Sequence, residues 1–454
     1  MSFQPVLLWS DVLLWLLAIA VAGLCAYSSR AEHLRRAWKR LGKNGVATAA
    51  ATLLCAFLVV GLLDSLHYRL RLPDAPGQTE AVYSVETLSA LDGLLTNLRE
   101  RNEKTYSAPL ATRSFVMETE ETPAGITRIY PRLNYGGTHL EDDGGQAADV
   151  AGRFLTGAGI ALLCGCLAAG LVFLWRKRRQ GRSDFAWRGV LSALFVVFLV
   201  AFTLSELADV YHVFGTDKVG QDVLYQTLKS IRTALVIGLV TTLVMLPLAV
   251  VLGIAAGYFR GWTDDVIQYI YTVLNSIPGV LLIAAAVLMM QVIIDTHPQW
   301  FSTSVERADL RLIALCVILG VTSWTGLARL LRGETLKLRE LDYIQAARAF
   351  GVSSARIIAR HILPNLMHIV IISLVMDFSA LVLAEAVLSY IGIGVDPSMH
   401  SFGSMINNAR MELSREPAVW WSLAAAFSFM LALVLAANLF ADAMRDAFDP
   451  RHEG

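Results

Sequence analysis

The sequence predicts an all-α polytopic membrane protein with about nine transmembrane helices and a small extracytoplasmic α+β domain. Of the 454 residues, 55% are hydrophobic and 17% are charged, a composition that excludes a soluble or a disordered chain. Nine apolar stretches also approach the roughly 20 residues that a helix needs to cross a bilayer. These stretches are 6–27, 46–63, 154–175, 189–207, 234–257, 267–291, 311–330, 367–390 and 420–441.

The overall charge argues against a nucleic-acid partner. Lys and Arg together number 38, as do Asp and Glu, so no global basic field recruits a polyanion. The histidines and cysteines have no metal-ligand spacing, and we expect no metal site. The lipid membrane is therefore the first partner that the composition predicts.

The distribution of Lys and Arg predicts the orientation. Basic residues concentrate in the segments 30–43, 176–188 and 332–366, and the positive-inside rule places such segments in the cytoplasm. We expect the N-terminus outside and the C-terminus in the cytoplasm. This orientation places the turn 258–266 in the cytoplasm, where it fits the positive-inside rule least well, because its only basic residue is Arg260, beside two aspartates.

The polar stretch 64–153 lies outside the cytoplasm in this topology. Leucines recur on one face of a predicted helix from Val85 to Glu103, and Ser114–Glu118 and Gly125–Tyr130 have the composition of strands. We interpret the stretch as a small α+β domain. The alternative is a partly disordered connector, since residues 141–145 have the acidic and glycine-rich composition of a linker.

The cytoplasmic segment 331–366 has the pattern of two short helices around a bend. Tyr343, Ala346, Ala347 and Phe350 share one helical face, and Gly351 can adopt the left-handed conformation that ends a helix.

A second helix follows, and the pair suits a soluble partner. Ser353 or Ser354 can cap this helix, Pro364 is expected to end it, and Arg356 and Arg360 share a face. An amphipathic helix pair flanked by cations is typical of docking into a groove. The alternative is a loop held against anionic lipid headgroups.

One EAA-like motif and five further ordered motifs resemble the dipeptide/oligopeptide/nickel family of ABC-importer permeases, and within it the C-type subunit. Gln345-Ala-Ala, Gly351 and His361-Ile-Leu-Pro resemble the EAA motif of these permeases. The other matching segments are Gly215–Val223, Gly320–Arg329, Ala384–Gly394, Ser401–Met405 and Asn438–Arg451. The resemblance covers roughly 189–451. It implies a type I permease core of six helices in a bacterial inner membrane. Residues 1–188 fall outside the resemblance, and the hydrophobic and charge pattern divides them into a transmembrane hairpin (1–63), the domain 64–153, and a third extra helix with a basic loop (154–188).

The resemblance also implies site residues. The set expected to couple the chain to an ATPase comprises Asp342, Gln345, Ala346, Ala347, Arg348, Gly351, Arg356, Arg360, Leu363 and Pro364. The extracytoplasmic family motif contributes Gly215, Thr216, Asp217, Gly220 and Asp222.

Two intramembrane acids are candidates for the translocation path or its gate. Asp377 departs from the apolar residue expected from the family, and it either lines the path or bonds a neighbouring helix. Glu385 lies eight residues further along, matches the family pattern, and is expected to be a gate or a structural anchor.

Two other positions depart from the family pattern. Gln345 replaces the glutamate of the EAA triplet, so docking is expected to depend more on Glu340 and Asp342. Gln221 replaces the arginine of the extracytoplasmic motif.

The expected function is that of a permease subunit of an ATP-driven importer of di- or oligopeptides or peptide-like solutes. Gly215–Gly220 has the glycine spacing of a phosphate-binding loop, but Gln221 and Asp222 follow where Lys and Ser or Thr are needed. We therefore expect no enzyme activity and no cofactor in this chain. The resemblance implies a second permease, two ATPase subunits that bind ATP and Mg, and a solute-binding protein. The alternative is a membrane-anchored assembly or signalling component on a permease scaffold.

Overall fold

The computed structural model describes residues 3–28, 32–73, 82–122, 125–140, 143–178, 185–301 and 303–448. Arg30, Arg179 and Arg182 of the predicted basic segments, and residues 449–451 of the predicted core, lie outside these ranges. The N-terminal half contains β1 (Phe3–Val6), α1 (Trp9–Ser28), α2 (Glu32–Lys43), α3 (Gly45–Asp64), β2 (His67–Leu70), β3 (Leu88–Ser89), α4 (Ala90–Leu94), α5 (Thr96–Glu100), β4 (Glu118–Thr122), β5 (Gly125–Ile129), α6 (Gln146–Arg178) and α7 (Trp187–Ala208).

The C-terminal half is helical throughout. It contains α8 (Val223–Phe259), α9 (Trp262–Ser276), α10 (Gly279–Thr296), α11 (Ser304–Ser323), α12 (Thr325–Arg339), α13 (Asp342–Ala349), α14 (Ser354–Ile357), α15 (Leu363–Tyr390), α16 (Phe402–Glu412) and α17 (Trp421–Phe448). The main hydrophobic cluster lies between α8, α11, α15 and α17, with Ile237, Leu312 and Leu433 fully enclosed.

Eight helical segments within the described ranges are long and apolar enough to cross a membrane. They are Gly45–Asp64, Gln146–Arg178, Trp187–Ala208, Val223–Phe259, Gly279–Thr296, Ser304–Arg339, Ser354–Tyr390 and Trp421–Phe448. The first predicted span corresponds to α1, whose apolar part Trp9–Ala20 is shorter. The predicted all-α membrane architecture is confirmed.

Two predicted spans differ from the structure. The span 267–291 is divided into α9 and α10, because Ile277 takes an extended conformation before Pro278 and proline disfavours helix at the preceding residue. The span 311–330 continues through α11 into α12 as far as Arg339. The first quarter of the predicted loop 331–366 is therefore helix.

Close packing of α12 against α8 explains this continuation. A Cβ added at Gly253 would lie 2.7 Å from the Ala328 carbonyl oxygen, and one at Gly257 would lie 2.6 Å from Thr335 Cβ. The small residues let the two helices approach, and the helix that packs against them belongs to the same chain.

The described part of the basic segment 30–43 is the helix α2 (Glu32–Lys43), not a loop. Within it, α2 packs Leu41 among Ala443, Met444 and Ala447 near the end of α17, and the Trp38 ring meets Phe448 edge to face. The amphipathic spacing of these apolar residues allows α2 to lie along the bundle.

The stretch 64–153 folds onto the bundle with mixed secondary structure. Strands β1, β2 and β3 form one antiparallel sheet, so this unit includes β1 from the segment assigned to the hairpin, while β4 and β5 form a separate hairpin. The helix predicted over 85–103 is divided into α4 and α5. Leu94 is consequently 71% exposed, whereas Leu98 packs with Leu207 and Leu224 of the bundle.

Candidate functional site

The predicted coupling segment forms two short helices at one end of the bundle. α13 ends as predicted, since Gly351 has a φ of +76°, and the Val352 amide donates to the Ala347 carbonyl over 3.1 Å. Ser353 precedes α14 in an extended conformation, but its side chain makes no capping hydrogen bond. The bend between the helices is therefore fixed by the backbone.

The prediction that Pro364 ends the second helix is wrong. A π-helical turn from Ile358 to Ile362 joins α14 to α15, and Pro364 lies in the first turn of α15. A missing amide is tolerated in a first turn, and a π turn widens the backbone where proline would otherwise meet the carbonyl of Arg360. The coupling segment is thus continuous with a membrane-spanning helix.

One side of the coupling segment is anchored and the other is open. Ile344, Ile357 and Ile362 are at most 1% exposed and pack in the cluster that joins this segment to the bundle. On the other side, Phe350 is 86% and Tyr343 is 47% exposed. Of the apolar face predicted from the spacing, Tyr343, Ala346 and Phe350 are left uncovered by the described residues, whereas Ala347 packs against this cluster.

The predicted coupling residues are mostly accessible. Asp342, Gln345, Ala346, Arg348, Gly351, Arg356, Arg360 and Pro364 are exposed, and Ala347 and Leu363 are partly buried.

Gln345 faces Glu340 beside a cavity of about 350 Å³. The Gln345 amide donates to the Glu340 carbonyl over 3.2 Å and lies 3.4 Å from its carboxylate. Arg260 pairs with the same carboxylate over 2.7 Å. Glu340 thus places a carboxylate next to the position where the family pattern has one.

The extracytoplasmic family motif forms a tight turn that leads into α8. Asp217 Oδ1 accepts hydrogen bonds from the amides of Val219 (3.0 Å) and Gln221 (2.9 Å). Asp222 caps α8 by accepting from its first amides. The Gln226 amide group donates to Gln221 Oε1 over 3.0 Å, so the residue that replaces the family arginine is held within the motif.

This turn is the place where the N-terminal extension (residues 1–188) meets the core. The Ser107 amide donates to Thr216 Oγ1 over 2.7 Å, and the Thr216 amide donates to the Ser107 carbonyl over 3.1 Å. The Glu103 amide donates to the Gly220 carbonyl over 2.9 Å. Trp421 adds a hydrogen bond from Nε1 to the Thr216 carbonyl. The motif thus forms backbone pairs with the extension.

Gly220→Ala is expected to separate the extension from this turn. Gly220 has a φ of +79°, and an added Cβ would lie 1.7 Å from the Glu103 carbonyl oxygen. The strained φ and the forced backbone shift are expected to cost roughly 2–4 kcal/mol of stability. Thermal unfolding in detergent measures the loss. Gly152→Ala, where no atom lies within 4 Å, is the control, and equal stability of the two variants would contradict the contact.

His212 lies buried between two carboxylates at this junction. Its Nδ1 is 2.8 Å from Asp222 Oδ2, and its Nε2 is 3.6 Å from Glu103 Oε1. Burial opposes the charged imidazolium, but both carboxylates outweigh it and raise the pKa of His212 to about 9. Burial likewise opposes the Glu103 carboxylate, but His212 and the amides of Asn134 and Tyr135 lower its pKa.

Stability should therefore fall at alkaline pH. A histidine whose folded pKa of about 9 exceeds its unfolded value near 6.5 stabilises the fold fully below pH 6.5, and this contribution is lost as the pH rises to 9. We expect a loss of up to about 3 kcal/mol across this window. The unfolding temperature between pH 6 and pH 10 measures it. His212→Gln should flatten this part of the profile; an unchanged slope would contradict the assignment.

The two intramembrane acids have different surroundings. Glu385 is 2% exposed and accepts hydrogen bonds from Ser389 (2.6 Å) and from Ser401 (2.9 Å), the residue that caps α16. It therefore links α15 to α16. Asp377 is partly buried, beside Met376, which is 43% exposed.

Sequence reasoning missed a buried ionic network at the end of the bundle where the turn Gly215–Asp222 leads into α8. Arg232 of α8 is 5% exposed and pairs with Asp11 of α1 over 2.6 Å. Lys229, one turn earlier, lies 2.6 Å from Asp64 and 3.0 Å from Asp92. Asp11 lies near the start of the first predicted span (6–27) and is 1% exposed. The sequence did contain a signal of this network: two cations lie three residues apart at the start of one span, and acids lie at the ends of two other spans.

Known proteins resemble the chain as follows. Residues 249–454 match the family described as "Binding-protein-dependent transport system inner membrane component". The oligopeptide transport system permease protein OppC of Mycobacterium tuberculosis is 32% identical over 53% of this chain and 76% of its own length. The glutathione transport system permease protein GsiD of Pectobacterium atrosepticum is 33% identical over 55% and 75%. A solved structure of the MetNI methionine ABC transporter is 17% identical, with a TM-score of 0.37, over 50% of this chain and 96% of that one.

The helical fold, the family match and the two permease relatives define a multi-pass permease of the inner membrane. The chain belongs to the binding-protein-dependent transport system inner membrane component family. It is a permease subunit of an ABC importer, a class in which separate subunits hydrolyse ATP.

Proposed function

We propose that the chain forms half of the translocation path for di- or oligopeptides or peptide-like solutes. The support for this cargo is that similar permeases carry names of oligopeptide, glutathione and dipeptide transport systems. A second permease of the same family completes the path, with Asp377 and Glu385 on this chain's side of it.

The chain couples to ATPase subunits through the segment 341–363. The observation that carries this proposal is the uncovered face of α13, where Phe350 is 86% exposed while buried isoleucines fix the helix to α15. A docked ATPase would cover that face and move α15 through the continuous π turn. Two partner subunits bind ATP and Mg and carry out the hydrolysis.

This assignment fixes the orientation. The N-terminus lies outside and the C-terminus in the cytoplasm, so the coupling segment and α2 face the cytoplasm. The cations of α2, including Arg35, Arg36 and Lys39, support this orientation.

The extracytoplasmic unit contacts a solute-binding protein or the partner permease. The β4–β5 hairpin supports this role, because Met117 is 50% and Ile126 is 72% exposed beside it. Ile126→Ser should weaken affinity for the binding protein, measured in nanodiscs. Leu72→Ser, also at an exposed apolar residue (46%), is the matched control. Unchanged affinity and transport would refute the proposed contact.

Purification from native membranes in mild detergent tests the function. We expect mass spectrometry to identify a second permease and two ATPase chains, with ATP hydrolysis in the eluate. Transport of radiolabelled dipeptides into vesicles would test the cargo. A chain that repeatedly purifies alone, without ATPase activity, would favour the membrane-anchored assembly or signalling component.

A further inference from the structure

A cavity of about 520 Å³ lies where the extension meets the core. Its walls come from α3 and α7 of the amino-terminal half and from α8 and α17 of the core, and residues of α4 and α5 lie at its end. All four walls are membrane-spanning helices, so the cavity lies at the depth of the bilayer.

The lining is almost wholly apolar. Phe57 and Val60 line the α3 side, Leu228 lines the α8 side and Phe429 lines the α17 side. On the α7 wall, Val200 remains 46% exposed. An apolar cavity excludes water, and if it stayed empty its walls would lose dispersion contacts. Its occupant must therefore be apolar.

One end of the cavity is polar. Asn97, Ser205 and Asp209 lie among the lining residues. Arg101 donates hydrogen bonds to the carbonyls of Ala208 and Asp209 at this rim, and no carboxylate pairs with it in the described part of the chain. A cation above an apolar slot at membrane depth complements the phosphate and the acyl chain of a phospholipid.

We propose that this cavity is a phospholipid site, which holds one acyl chain between α3 of the extension and the helices α7, α8 and α17 of the core, and places the headgroup phosphate at Arg101. The volume lies in the range of ligand sites that have apolar walls and a few polar groups. The lipid fills the gap between the extension and the core. The site is independent of cargo and of ATPase docking.

Photolabelling of the full chain in nanodiscs tests the site. The probe is phosphatidylethanolamine that carries a diazirine on one acyl chain, and peptide mass spectrometry locates the label. We expect labelling of α7 and α17 residues that line the cavity to exceed labelling of the lipid-facing surface of α6. Arg101→Gln should reduce cavity labelling roughly tenfold, as expected for losing a charged hydrogen bond.

Phenylalanine substitutions at two matched alanines distinguish a specific lipid site from ordinary boundary lipid. Ala201→Phe puts a ring into the cavity and should abolish cavity labelling, whereas Ala169→Phe, on the exposed surface of α6, should leave it unchanged. Circular dichroism checks that both variants fold. Equal labelling of α6 and α7, or cavity labelling that survives Ala201→Phe in a folded protein, would overturn the proposal.

Discussion

Replacing Gly351 with proline is expected to abolish coupling to the ATPase subunits. Gly351 has a φ of +76°, and proline is restricted to a φ near −65°. The bend between α13 and α14 cannot form with proline. The buried isoleucines would then no longer hold the exposed face of α13 in the position where an ATPase subunit contacts it. We expect ATP hydrolysis that depends on this chain to fall at least roughly tenfold, the size of a 1.4 kcal/mol loss in binding.

Two further variants give this prediction its controls. Phe350→Asp keeps the bend but places a charge on the uncovered face, and it should also prevent co-purification of the ATPase. Gly333→Ala lies in α12, where no atom lies within 4 Å of an added Cβ, and it should leave hydrolysis unchanged. If Gly351→Pro retained full hydrolysis and bound ATPase, the coupling role of 341–363 would be refuted.

Breaking the Asp11–Arg232 pair is expected to give the largest loss of stability. Asp11 is 1% and Arg232 is 5% exposed, and His67 lies 2.7 Å from the other Asp11 oxygen. Asp11→Ala leaves the guanidinium buried without its carboxylate, although Ser10 still accepts a hydrogen bond from it over 2.7 Å. Removing one partner of a buried pair costs about 3–5 kcal/mol.

Thermal unfolding of three variants tests whether the stabilisation comes from the Asp11–Arg232 pair and not from either charge alone. Asp11→Ala should destabilise strongly, and Asp11→Leu combined with Arg232→Met should recover most of the loss, because the buried Arg232 charge is then removed together with its carboxylate partner. Lys337→Met breaks an exposed pair with Glu334 and should cost at most about 0.5 kcal/mol. If Asp11→Ala cost no more than Lys337→Met, the buried pair would not hold α1 to the core.

The network also explains why α1 belongs to the bundle despite its short apolar part. Ser10 donates its backbone amide to Asp309 of α11 over 3.2 Å, while Asp11 reaches α8. Loss of the pair should therefore release α1 without altering the coupling segment at the opposite end, so ATPase co-purification can be scored independently of stability.

The sequence by itself determined most of the spans and the end of α13 at Gly351, and its ordered motifs determined the family. These features depend on local properties, namely the length of apolar runs and the conformational freedom of glycine, which residues near in the chain decide. Local rules failed at Pro364, because a π turn upstream removed the clash that ends a helix.

Only the tertiary structure decided what the extension contacts. Asp11 and Arg232 are 221 residues apart, and Ser107 and Thr216 are 109 apart, so neither pairing leaves a periodic signal. A buried charge is stable only beside its partner, and which partner it meets depends on how α1, α3 and α8 pack. The same packing leaves the cavity between α3 and the core helices α7, α8 and α17, and no single segment of the chain encodes it.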